Sequence, residues 1–186
     1  SVYLILKSLI NNKSTYDKLL KKEIEKNKYS ARDINFIQSV VLSSLRHNIQ
    51  IKKIIAKYAD KKINEDTYIL LLSAITQLVF LNYKDYAVVN SSVELSKKNK
   101  IKTYSGFING ILKNIIKEKE SLKKTKIRLK DLPKWFVNKI TKKNLDDISS
   151  IINSITEKPD LHLVFKNKRF LKIFLKERNN EDIETS

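Results

Sequence analysis

The 186 residues contain no cysteine and no methionine, and only two glycines and two prolines. Without cysteine there are no disulfides, no thiolate metal sites and no cysteine nucleophile. Two glycines are too few for a phosphate-cradling loop of the Walker or dinucleotide type. His47 and His162 each lack a second histidine at helical spacing, so no zinc site is expected. No serine sits in a Gly-x-Ser-x-Gly elbow. Acidic residues are scarce, 20 against 38 Lys and Arg, which leaves a net charge of +18 and a pI near 9.8. Long apolar runs are missing as well. The longest uncharged stretch, Thr67 to Tyr83, has 17 residues and includes Thr, Ser, Gln and Asn. A membrane-spanning helix needs roughly 20 predominantly apolar residues, so this stretch reads as a buried helix and no membrane partner is expected. Val2 to Ile10 has no basic residues before it and no small-residue cleavage site after it, and reads as a helix rather than a signal segment. The missing Met reads as a trimmed or fragmentary chain. The expectation is a cytoplasmic protein with no catalytic residue and no cofactor of its own.

What is present is helical periodicity. Residues 2–11 place Val2, Ile5, Leu6, Leu9 and Ile10 on one face. Residues 15–27 do the same with Tyr16, Leu19, Leu20 and Ile24, and Ser14 is available as N-cap. A third helix opens at Ser30, with Asp33 completing a variant capping box. Asn48 is the expected cap of a fourth, through Ile51, Ile54 and Ile55. The fifth, about 65–82, is apolar on nearly every side, as befits a helix surrounded by others. A sixth spans about 86–98 and a seventh about 103–119. Gly106 and Gly110 fall inside the seventh, where each costs about 1 kcal/mol relative to Ala; close packing against a neighbouring helix is the expected reason. Residues 117–130 read as a polar connector. Pro133 then opens a helix with Trp135, Phe136 and Ile140. Asn144 is expected to cap another, with Asp146 and Asp147 in its first turn. Leu161 to Phe165 reads as one short strand, and the acidic end from Glu177 to Ser186 as frayed.

The positive charge is uneven. Between Lys113 and Lys143 there are 12 Lys and Arg against 3 Asp and Glu, a net +9 in 31 residues. Lys123, Lys124, Lys126, Arg128 and Lys130 follow the seventh helix; Lys97, Lys98, Lys100 and Lys102 precede it, and Lys113 lies within it. Such loops at both ends of a helix suit a continuous positive face for phosphates. These ten residues are the candidate RNA contacts. Carboxylate pairs such as Glu23/Glu25 sit among lysines and read as solvated charge.

Three stretches resemble the NusB family. Arg32-Asp33 with Phe36, Val40 and Leu45-Arg46 looks like the third helix of NusB-type domains. Tyr86-Ala-Val-Val-Asn90-Ser-Ser-Val-Glu94-Leu-Ser-Lys97 is similar to the family's Ala-x-Val-Asn-Glu-x-Val-Glu-Leu-Ala-Lys signature, with Ser91 in place of Glu and Ser96 in place of Ala. Gly106-Phe-Ile-Asn109-Gly-Ile-Leu112-Lys113 looks like the Phe-Val-Asn-x-Val-Leu-Arg segment that follows. The resemblance implies an all-α bundle of about seven helices over residues 1–118. Beyond it come a basic connector at 119–130 and, at 131–186, a small, mostly helical linker subdomain carrying the short strand.

Such domains occur as free antitermination factors and at the N-terminus of Sun-family ribosomal RNA 5-methylcytosine methyltransferases. Leu132-Pro133-Lys134-Trp135-Phe136 resembles the Pro-x-Trp-Leu motif of the methyltransferase linker. Asn153, Pro159 and Phe165-Lys166-Asn167 resemble its next segment, although the expected Arg is missing. The resemblance implies an RNA-positioning region for small-subunit ribosomal RNA, in a parent protein that uses S-adenosylmethionine. The alternative is an antitermination-type module working through a ribosomal protein. The family's catalytic domain needs a glycine-rich loop and two cysteines, which these residues do not supply. By the same resemblance Asn90, Asn109, Arg32, Arg46 and Glu94 are family positions, read here as mainly structural.

Overall fold

The computed structural model describes residues 1–59, 62–98, 101–141, 148–159 and 164–178. Its elements are α1 (Val2–Ile10), α2 (Tyr16–Lys26), α3 (Ala31–Arg46), α4 (Asn48–Tyr58), α5 (Glu65–Ile75), α6 (Asp85–Lys98), α7 (Ser105–Lys123), α8 (Lys134–Thr141), α9 (Ile148–Thr156) and α10 (Lys168–Arg178). The fold is all-α, a bundle of seven helices followed by three more. Among the described residues there is no strand. Of the segment expected to be extended, Val164 and Phe165 are irregular, and 161–163 lie outside the described residues. Among the described residues no helix is long and apolar enough to cross a membrane.

The apolar stripes become the core. Ile5, Leu6, Ile51, Ile54, Leu71 and Leu72 are among its fully buried side chains. Removing such a side chain from water contributes about 1.5–3 kcal/mol each. As its all-round apolarity requires, α5 is central and packs on α1, α3, α4, α6 and α7. It is capped by Asn64, whose Oδ1 accepts from the Thr67 N–H at 2.8 Å. At Thr76 it widens into a π-turn through Phe80, closed by the Leu81 N–H on the Thr76 carbonyl at 3.0 Å. There the Thr76 hydroxyl bonds back to the Leu72 carbonyl and accepts from Ser44, a buried polar pair inside the apolar stack. Asn82, at φ 51°, then turns the chain out of the helix, as Asn at a helix end is suited to do.

The expected Ser30–Asp33 capping box is present, with both reciprocal bonds made. Two other caps differ. Thr15, not Ser14, holds the N-cap position of α2. Asn48 is the first residue of α4 rather than its cap, and its side-chain oxygen accepts from the Tyr68 hydroxyl instead. The cap expected at Asn144, with Asp146 and Asp147, lies outside the described residues, as does the end from Asn179.

The glycines also differ from expectation. Gly106 and Gly110 lie on the outer side of α7, and a Cβ built on either meets nothing within 4 Å. Close helix packing is not what places them there.

Candidate nucleic-acid interface

Helix α7 organises the basic residues. A helix rises 1.5 Å per residue, so its 19 residues hold the two predicted clusters roughly 28 Å apart. Lys97 and Lys98 close α6, and Lys102 sits in the 3-10 turn that leads into α7. Lys123, Lys124, Lys126, Arg128 and Lys130 lie at the far end. The two sets are not brought together; what joins them is the outer face of α7. Lys113, Lys117 and Lys124 recur there at helical spacing, in line with the bare positions Gly106 and Gly110. Lys100 lies outside the described residues.

Ion pairing divides the lysines into two groups. Lys53, Lys57 and Lys119 are tied to Asp131, Glu118 and Asp85, and Lys7 to Asp66. Among the predicted contacts, Lys97 is partly neutralised by Glu94, one turn earlier on α6, at 2.8 Å. Lys98, Lys102, Lys113, Lys123, Lys124, Lys126, Arg128 and Lys130 are exposed and make no ion pair among the described residues. Their charge remains available to an external anion.

The connector after α7 is anchored to α4. Gln50 Nε2 donates to the Thr125 carbonyl at 2.7 Å. Lys53 Nζ donates to the Lys126 carbonyl at 2.8 Å and to Asp131 Oδ2 at 2.6 Å. The same Asp131 oxygen accepts the Arg128 N–H at 2.8 Å. The Lys53 hydrogen bond holds the Asp131 carboxyl below its ordinary pKa against the opposing effect of burial, and the Arg128 N–H adds to the lowering. The backbone from 125 to 131 is therefore tied down at its carbonyls and amides, while the side chains of Lys124, Lys126, Arg128 and Lys130 stay exposed.

One further residue supports this arrangement. His47 Nδ1 lies 2.6 Å from Gln50 Oε1. That oxygen can only accept, so Nδ1 carries the proton, and the bond orients the amide toward Thr125. The ring stacks on Phe80 at 3.8 Å and 5°. Burial lowers the His47 pKa below its ordinary value; the Gln50 bond opposes this and nearby Arg46 reinforces it. Gln50, Lys53, Asp131 and Lys117 were not among the sequence candidates. The first three act across 73 to 78 positions of sequence, a separation that no local pattern reports.

Of the family positions, Glu94 pairs with Lys97 and its carboxyl is lowered by that hydrogen bond. Arg32 and Arg46 make no ion pair among the described residues; Arg46 lines an open hollow with Ser154, Ile155 and Lys158. No group of three His, Asp or Glu converges as a metal site among the described residues.

The NusB family profile matches residues 2–117, well over half of the chain. The chain belongs to the NusB family. Among similar curated proteins is the transcription antitermination protein NusB of Thermodesulfovibrio yellowstonii, 38% identical over 90 residues, covering 45% of this chain and 59% of that protein. The probable ribosomal RNA small subunit methyltransferase B of Coxiella burnetii is 28% identical over 136 residues, 69% of this chain and 32% of its own length. The ribosomal RNA small subunit methyltransferase B of Pasteurella multocida is 26% identical over 137 residues, 71% of this chain and 30% of its own. The chain thus spans about three-fifths of this NusB protein and about a third of each methyltransferase. In NusB-family coordinates, the anchored connector lies just past the matched domain, and α7 runs into it.

Proposed function

We propose that this NusB-family chain is an RNA-binding region, and that it positions small-subunit ribosomal RNA for a cytosine-5 methyltransferase. The observation that carries the reading is the set of unpaired cations along α7 and on the anchored loop behind it. Phosphate contacts of this kind supply affinity and orientation without reading sequence. The methyltransferase branch is favoured because those two alignments cover 69% and 71% of the chain, more than residues 2–117 alone can account for. S-adenosylmethionine belongs, on this reading, to the longer protein. Neither glycine lines a cradle that would fit it: both lie on an exposed helix face, with nothing within 4 Å of an added Cβ.

Filter binding with small-subunit ribosomal RNA fragments tests the reading. Affinity should fall about 10-fold or more between 50 and 200 mM salt as counterions are released. No binding below about 100 mM salt, where screening is still modest, would sink it.

The 38% identity to an antitermination protein favours a second reading, a module that works through a ribosomal-protein partner. It requires a tight complex with that protein and weak RNA binding by the isolated chain.

A further inference from the structure

Trp135 is the only tryptophan of the chain, and it is 64% exposed. Tryptophan is usually well buried, so an indole this exposed stands out. Phe136 packs against it at a steep angle, with centroids 5.5 Å apart and planes at 78°, so the two rings do not stack face to face and most of the indole stays exposed. The residue sits in the first turn of α8, directly after the loop that Gln50, Lys53 and Asp131 hold in place. Lys130 and Lys134 flank it in sequence, both exposed and outside any ion pair among the described residues. An exposed indole that follows an anchored run of cations along the chain is the combination that single-stranded nucleic acid uses, with the base stacking and the phosphates following the charge. A duplex keeps its base faces inside and offers phosphates, 2′-hydroxyls and base edges instead.

We propose that the anchored loop and Trp135 form a platform for single-stranded RNA, with one base stacked on the indole. This rests on the RNA-binding reading and adds the class of RNA to it. The cations select RNA over an apolar protein partner, which would cover the tryptophan but leave Lys126, Arg128 and Lys130 without a counter-charge.

The single tryptophan makes its own reporter. The full chain is titrated at about 50 mM salt, where phosphate contacts are strong, with an oligouridylate of about ten nucleotides and with a blunt RNA hairpin. Saturable quenching of the emission is expected with the oligouridylate, and little change with the hairpin. W135A should bind the single strand about 10-fold more weakly, with an unchanged salt slope, and bind the hairpin as before. W135F, read by filter binding, should keep most of the affinity. A K124Q/K126Q/R128Q variant should instead lower the salt slope by about 2, close to 0.7 per lost contact on a single strand. Thermal melts of the variants check that each is folded. Emission that stays unmoved while RNA binds, or a W135A that matches wild type, overturns the stacking and leaves the RNA reading intact. A protein partner that protects Trp135 from quencher while RNA does not overturns it too. Failure of the wild type to bind either RNA overturns both.

Discussion

His47 is hydrogen-bonded to the glutamine that anchors the loop, and it sits where burial disfavours its proton. Its pKa is depressed in the folded chain, chiefly by burial, whereas the unfolded chain titrates near about 6.5. As pH falls through that value the unfolded state binds the proton first, so stability is lost until the lower folded pKa is passed. Thermal melts between pH 7.5 and 5.5 should show a falling Tm. His47→Phe, which keeps a ring against Phe80, should flatten the trend; His162→Gln, run in parallel, separates the other histidine. Lys53 makes a different kind of contribution. With side chains 33% and 16% exposed, the Lys53–Asp131 pair is half-screened and is expected to be worth only about 1 kcal/mol. Lys53→Met should therefore cost little in Tm. It should nonetheless speed hydrogen exchange at the Arg128 amide, because Asp131 loses the group that fixes its carboxylate as that amide's acceptor. An unchanged Arg128 exchange rate would show that the loop does not need this anchor.

The helix boundaries show which elements are readable from local pattern. The first seven helices could be read because each repeats apolar residues every three or four positions against a polar background, and because Ser30 with Asp33 announces a start by chemistry alone. The π-turn at Thr76–Phe80 could not: the hydroxyl pair at its start joins Ser44 to Thr76 across 32 positions of sequence, a contact that no local pattern reports. Nor could the anchoring of the connector, whose polar, lysine-rich composition looks the same whether the backbone is tied or free. Gly106 and Gly110 illustrate the limit well. Their identity says only that α7 lacks two side chains; whether a neighbour or open space faces them is a tertiary fact. Open space makes a clean prediction. Each Gly→Ala should stabilise the chain by about 1 kcal/mol, read as a rise in Tm, since no atom within 4 Å resists the added methyl. A loss of stability would place a neighbour against this face. Ser30→Ala should do the opposite by about 1 kcal/mol, through the lost capping bonds of α3.

Across the whole molecule, burial and charge meet at one boundary. Every buried hydrophobic residue among those described lies between Ile5 and Leu132, and α9 buries none. The three last helices therefore add little to the stability of the first seven, while the connector adds Leu132 and the bonds to Gln50 and Lys53. Two shortened chains separate these contributions. One that ends after Pro133 keeps the core and the anchored loop, and its Tm should stay within about 4 °C of the full chain. One that ends after Lys123 loses the burial of Leu132 and exposes its site, and should be less stable by about 3 kcal/mol. The same pair tests how the surface works. The 133-residue chain retains Lys124, Lys126, Arg128 and Lys130 but not Trp135, so it should bind RNA with nearly the full salt dependence and no preference for single strands over hairpins. If it kept that preference, single-strand selection would have to come from the bundle itself, and the indole would have no part in it.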